Sequence, residues 1–225
     1  MPRMARVVCP GVPYHVVQRG NRRCSVFSSD FDRESYLDCL TFYAGQHGLA
    51  VLAYCLMGNH VHLVVVPETE CSLERVFRPL HQRHALRINR LRSWTGHLWQ
   101  GRYFSAALDD CYLWAAIHYV ERNPVVARMT ARAEEYPWSS AAAHCGLRTD
   151  TVLTRAPYWV DVFRGAGDWA TWLACEEDAD ERSLLRLNTG KGLPCGSPQF
   201  VERLAASTGR SLQARPRGRP KKAIG

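Results

Sequence analysis

Apolar and polar positions change period several times along the chain, and each change marks an element. Val12 to Gln18 reads as a strand closed by the turn Arg19-Gly20-Asn21. With Asp30 as the expected N-cap, Phe31, Tyr36, Leu37, Leu40, Tyr43 and Ala44 recur at helical spacing up to His47, and Gly48 is placed to end that helix. Leu49 to Met57 forms a second strand, Gly58-Asn59 a turn, and His60 to Val66 a third strand stopped by Pro67. A long helix is expected from Ser72 to Arg92, with an apolar stripe of Leu73, Phe77, Leu80, Ile88 and Leu91 completed by His84. Arg102 to Leu108 is a further strand, and Asp109 or Asp110 opens a helix running to Asn123-Pro124. Strand, helix, strand, strand, helix, strand, helix is the α+β, ferredoxin-like split βαβ order with one extra helix on the sheet. Beyond Pro137-Trp138-Ser139-Ser140 the pattern loosens. Residues 141–190 lean helical without clear bounds, and Ser197-Pro198 starts a short helix through Leu204. This gives a domain over 1–140, a helical extension over 141–209 and a tail over 210–225.

Composition narrows the partners. Hydrophobic residues are 46% and charged residues 22% of the 225, which is globular composition. Lys+Arg 29 against Asp+Glu 21 leaves +8, favouring a polyanion, nucleic acid before membrane. Lys occurs only at 191, 221 and 222, so 26 of the 29 cations are Arg, whose planar fork matches phosphate oxygens. Genomic base composition is the plainer account of that bias. On the 72–92 helix, Arg75, Arg78, Arg83, Arg87, Arg90 and Arg92 stand off the apolar stripe with only Glu74 opposing them, which tilts that face towards phosphate contact. No acid follows Glu202, and Arg217-Gly218-Arg219-Pro220 resembles an AT-hook, an extended segment whose Arg side chains suit a narrow A·T minor groove; nonspecific affinity of a basic tail is the alternative. Nine scattered cysteines without a C-x-x-C argue against a disulfide scaffold or a zinc knuckle. With no membrane-length apolar run and no signal-peptide core, a soluble cytoplasmic protein is expected. Gly190-Lys191 lacks the rest of a phosphate-binding loop, so no nucleotide cofactor is indicated.

Two pairs of residues carry candidate chemistry. In a strand His60 and His62 share a face, about 6.5 Å apart at Cα, so both imidazoles can converge on one metal. Val61, Leu63, Val64, Val65 and Val66 make this an apolar strand on both faces, where two imidazoles are costly without partners. Two core histidines each bonded to a backbone carbonyl remain the alternative. Tyr119 and Asn123 leave one face of a helix, since four residues turn by about 400°. Asn123 can supply an amide oxygen as third ligand, leaving positions open for phosphate oxygens. That donor set suits Mg²⁺ or Mn²⁺ better than a closed structural zinc. Equally, Tyr119 can be packing and Asn123 a helix end before Pro124.

Leu56-Met57-Gly58-Asn59-His60-Val61-His62-Leu63-Val64-Val65, followed by Tyr119-Val120-Glu121-Arg122-Asn123-Pro124-Val125, resembles the single-tyrosine HUH transposases, above all the REP-associated tyrosine transposases and their insertion-sequence relatives. Pro13-Tyr14-His15-Val16 with Arg19-Gly20-Asn21-Arg22, Trp99-Gln100-Gly101-Arg102-Tyr103 and Trp138-Ser139-Ser140 extend the match to about residues 8–140. The resemblance implies the HUH fold and a DNA strand-cleaving and rejoining activity on single-stranded DNA beside imperfect hairpins. It carries the histidine pair onto His60 and His62, the nucleophile onto Tyr119 and the third ligand onto Asn123; Asn rather than Gln there leans towards the REP-associated members. Tyr112, seven residues earlier on nearly the same stripe, is a rival nucleophile without the following Asn-Pro. Arg83, Arg87, Arg90 and Arg102 are candidates for gripping the DNA backbone, with Arg217 and Arg219 in the tail. A rolling-circle initiator or relaxase, or a domesticated non-catalytic DNA-binding regulator, are the rival functions. A monomer or a homodimer fits equally well.

Overall fold

The computed structural model describes residues 8–154 and 168–212. Strands β1 (Tyr14–Arg19), β2 (Leu49–Leu56), β3 (His60–Pro67) and β4 (Phe104–Ala107) form one sheet in the order β2-β3-β1-β4, antiparallel throughout. Helix α1 (Asp30–Gln46) connects β1 to β2 and α2 (Ser72–Arg92) connects β3 to β4, so the expected split βαβ order is the observed one. Helix α3 (Asp110–Val126) follows β4, and α4 (Ala141–His144), α5 (Trp169–Ala174), α6 (Ala179–Lys191) and α7 (Pro198–Thr208) come after it. Among the described residues no helix is long and apolar enough to cross a membrane. Arg217 and Arg219 lie outside the described residues.

Strand alternation divides the interior into two cores. Tyr14 and Val16 of β1 and Val61, Leu63 and Val65 of β3 point to one face, where α1 and α2 cover them with Tyr36, Leu40, Leu73, Phe77, Leu80 and Ile88. Val64 and Val66 of β3 point to the other face, against Leu113, Ala116, Ile117 and Val120 of α3 and Leu185 of α6. The pairing of β2 with β3 slips between Val51 and Ala53, so Leu52 and Ala53 both join this second core.

Local chemistry sets the helix ends. Ser29, not Asp30, caps α1: its hydroxyl accepts from the Asp32 amide, and the Asp32 carboxylate accepts from the Ser29 amide. Asp109 caps α3 and Ser197 caps α7 with Pro198 in the first turn. Phe31 and Leu91, expected in the apolar stripes, are 60% and 59% exposed, whereas Val76 and His81 of α2 are buried. Helix α3 runs through Pro124 to Val126, because a proline in the last turn removes a single intrahelical bond. Gly20 is required by close approach, since a Cβ there would collide with the Cys24 carbonyl oxygen.

Both sheet edges are covered by chain from outside the sheet. Along β2, the Leu56 amide donates to the Trp138 carbonyl, the Ser140 amide to the Tyr54 carbonyl, and the Thr154 amide to the Val51 carbonyl. Along β4, the Cys195 amide donates to Ala107 and the Asp109 amide to Cys195. Residues after 137 thus satisfy edge groups that would otherwise invite pairing with another chain.

Candidate active site

The sheet face under α3 carries a polar island in an apolar surface. His60 and His62 leave β3 on this face with ring centroids 4.8 Å apart. Register puts Arg19 opposite His60 and Val17 opposite His62, so the neighbouring β1 adds His15 and Arg19 on the same side. The His15 and His62 rings lie parallel at 5.2 Å, with His15 Nε2 3.0 Å from His62 Nδ1. From above, the Tyr119 ring meets both edge-on, at 5.3 Å from His62 and 5.8 Å from His15. Asn123, one turn further along α3, has its carboxamide within hydrogen-bonding reach of both the His60 imidazole and the Tyr119 phenol. His60, His62, Tyr119 and Asn123, predicted from two distant motifs, therefore meet at one place.

The phase of α3 is fixed from its other side. Glu121, fully buried, accepts from Ser140 Oγ, from His144 Nδ1 at 2.6 Å and from Trp169 Nε1 at 2.8 Å. A buried carboxylate needs such partners, and together they pin α3 to α4 and α5. Two residues along a helix turn by about 200°, so anchoring Glu121 outward aims Tyr119 and Asn123 at the sheet.

Not every imidazole nitrogen has a partner. The Asn59 amide nitrogen donates to the Arg23 carbonyl, which turns its oxygen towards His60 Nδ1 at 2.5 Å. That ring nitrogen must donate, so the lone pair of His60 lies on Nε2. His62 has Nδ1 engaged with His15, while its Nε2 is buried without a partner. Burial pushes the His60 pKa down to about 4, helped by the Arg19 charge, and that of His15 down to about 3. Burial also drives His62 well below the ordinary histidine value, and the neighbouring His60 and His15 add to this. All three rings are neutral at pH 7, as metal-ligating imidazoles must be. Two neutral imidazoles, one with an orphaned buried nitrogen, and a carboxamide fit a divalent cation with open positions. Among the described residues no three His, Cys, Asp or Glu side chains form a metal cluster.

Tyr119 is buried at 9% exposure, and desolvation raises its pKa. The charges of Arg186 on α6 and Arg19, together with the Asn123 hydrogen bond, oppose that rise. The rival Tyr112 is aimed elsewhere: its charged surroundings are Glu181, Asp109 and Asp178, all acidic.

The predicted arginines divide. Arg83, Arg87 and Arg90 line a groove between α1 and α2 on the face opposite the histidines. Arg87 is partly committed there, 3.2 Å from Asp32 and stacked 4.6 Å over Phe31. Arg102 is exposed just ahead of β4. Sequence reasoning gave no role to Arg19, Arg186 or His15. His15 lies 47 residues from its partner His62, and only the strand register joins them.

Residues 9–123 match the family model described as "Transposase IS200 like". The fold is similar to that of a REP-associated tyrosine transposase solved bound to a REP hairpin, at 14% identity and TM-score 0.52, covering 69% of this chain and 99% of that one. A putative transposase from Deinococcus radiodurans R1 aligns at 19% identity and TM-score 0.38 over 57% of this chain and 98% of its own. No curated protein matches the chain. With the family model spanning half of the sequence, the histidine and tyrosine motifs included, the chain belongs to the IS200-like transposases of the single-tyrosine HUH type.

Proposed function

We propose that this transposase cleaves and rejoins single-stranded DNA beside hairpins through a 5′-phosphotyrosine on Tyr119. The observation that carries the reading is the Tyr119 phenol set edge-on against His62, whose buried Nε2 lacks a partner. The similar REP-associated transposase was solved with a hairpin, which supports the same substrate class here.

His60, His62 and Asn123 are the residues that would hold Mg²⁺ or Mn²⁺, and such an ion supplies Lewis-acid polarisation of a phosphate oxygen when bound. The remaining work falls to the chain itself. Arg19 and Arg186 offer positive charge to the phosphate and lower the cost of ionising the buried phenol. Asn123 orients that phenol, and α3 packing holds it at a fixed place above the sheet. The Tyr119 oxygen loses its proton and forms a bond to phosphorus; the bond to the 3′ oxygen breaks, and that oxygen leaves as a hydroxyl after taking up a proton. Attack by another 3′ hydroxyl on the aryl phosphate reverses the exchange on a new strand end, so joining needs no external energy source.

Incubating the full chain with an end-labelled single-stranded hairpin and Mn²⁺ tests this. A gel-stable protein–DNA adduct is expected, absent from Tyr119→Phe although that variant still binds the hairpin. An adduct that persists in Tyr119→Phe, or none with the native chain, would overturn the proposal.

A further inference from the structure

Thr189 sits in α6, outside the span matched by the family model, yet its hydroxyl reaches the histidine cluster. Its Oγ1 is 2.9 Å from His15 Nδ1, and His15 Nε2 is 3.0 Å from His62 Nδ1. All three residues are buried, at 2%, 1% and 2% exposure. The chain Thr189–His15–His62 ends at the buried, unpartnered Nε2 of His62.

Each neutral imidazole carries one hydrogen, so the chain has only two consistent directions. If the Thr189 oxygen accepts from His15 Nδ1–H, then His15 Nε2 accepts from His62 Nδ1–H, and the lone pair of His62 lies on Nε2, facing the site. In the reverse direction His62 would present an N–H there, burying a donor with no acceptor and repelling a cation. We propose that Thr189 is a positioning residue: accepting from His15, it fixes the tautomer and ring orientation of His62 as a metal ligand, so that the C-terminal extension completes the site. Partners that orient ligating imidazoles in this way typically change metal affinity by about 10–100-fold when removed. This rests on reading His60 and His62 as the metal site, and gives α6 a part in the chemistry that its sequence did not disclose.

The test uses the full chain as Thr189→Val, which keeps the volume and removes the hydroxyl, and as Thr189→Ser, which restores it. Mn²⁺ affinity is read from the electron paramagnetic resonance signal of the free ion, with His62→Ala as the reference variant. The His62 tautomer is read without metal from nitrogen-15 correlations of the imidazole ring. The expected result is an affinity loss of about 10–100-fold in Thr189→Val, near-native affinity in Thr189→Ser, and His62 as the Nδ1–H tautomer in the native chain but mixed in Thr189→Val. Native-like affinity in Thr189→Val, equal losses in both Thr189 variants, or an Nε2–H tautomer in the native chain would overturn the inference. If Thr189→Val fails to fold, Thr189→Ala is read in its place against Thr189→Ser, with the same expected and overturning results. Unchanged Mn²⁺ affinity in His62→Ala is a separate outcome: it removes the metal-site reading itself, and this inference with it.

Discussion

Both faces of the sheet bury imidazoles, and they do so to different ends. Under α1 and α2, His84 has Nε2 2.8 Å from the Val26 carbonyl, His81 Nε2 is 3.1 Å from the Tyr36 hydroxyl, and the Trp99 indole donates to the His81 carbonyl. These are core histidines whose bonds tie loops to helices. Under α3, His15, His60 and His62 are linked to one another or to Asn59 and Thr189, and the set leaves His62 Nε2 unmatched. Burial and a depressed pKa are common to both clusters, so neither property marks a site. What sets the α3 cluster apart is an unmatched nitrogen beside a tyrosine.

The sharpest way to separate the faces is by chemistry. Tyr119→Phe is expected to lower adduct formation by at least about 1,000-fold while leaving the thermal midpoint near native, as befits loss of the reacting group rather than of packing. Next comes metal binding, measured by Mn²⁺ titration. His60→Ala and His62→Ala are each expected to weaken it by more than about 100-fold, a larger effect than removing an outer partner. His84→Phe on the opposite face should leave Mn²⁺ affinity unchanged and cost roughly 1–3 kcal/mol of stability, because the Val26 carbonyl is left without its donor.

Acid should expose the structural histidine. Burial holds the His84 pKa down to about 4, against an ordinary value near 6.5. Between those values the unfolded chain takes up a proton that the folded chain refuses, so stability falls as pH drops through that window. The full contribution is present above pH 6.5, and His84 alone accounts for a loss of about 3 kcal/mol by pH 4. Urea unfolding at pH 7.5 and pH 4.5 should therefore show a smaller pH-dependent loss in His84→Phe than in the native chain. An equal loss would return His84 to a solvated role. The smallest effect concerns DNA grip: Arg83→Ala with Arg90→Ala should flatten the salt dependence of hairpin binding by about one unit of slope for each phosphate deprived of its cation, without changing the rate of adduct formation once bound.

The same two faces also explain what the sequence disclosed. Period-two spacing put His60 and His62 on one side of β3, and four-residue spacing put Tyr119 and Asn123 on one side of α3; both are short-range facts. His15 with His62, and Thr189 with His15, depend on strand register and on where α6 docks, across 47 and 174 residues. No local pattern encodes such pairings. The arginine face of α2 shows the converse limit. Its composition suggested phosphate contact, but Arg92 is turned back onto the Ser25 carbonyl and the Ser28 hydroxyl, and Arg87 onto Asp32. Cationic side chains at helical spacing were visible; which of them hold the loop before α1 and its first turn was not. Phe31 and Leu91 fitted an apolar stripe by spacing alone, yet both are exposed, Phe31 beside the fully buried Asp32 and under the Arg87 guanidinium.

Crystals of the full chain grown with Mn²⁺ would test the central claim most directly through anomalous scattering from the metal. The account predicts one strong peak within bonding distance of the Nε2 atoms of His60 and His62 and beside the Asn123 carboxamide, facing the Tyr119 oxygen. A peak elsewhere, or a site whose nearest tyrosine is Tyr112, would contradict it.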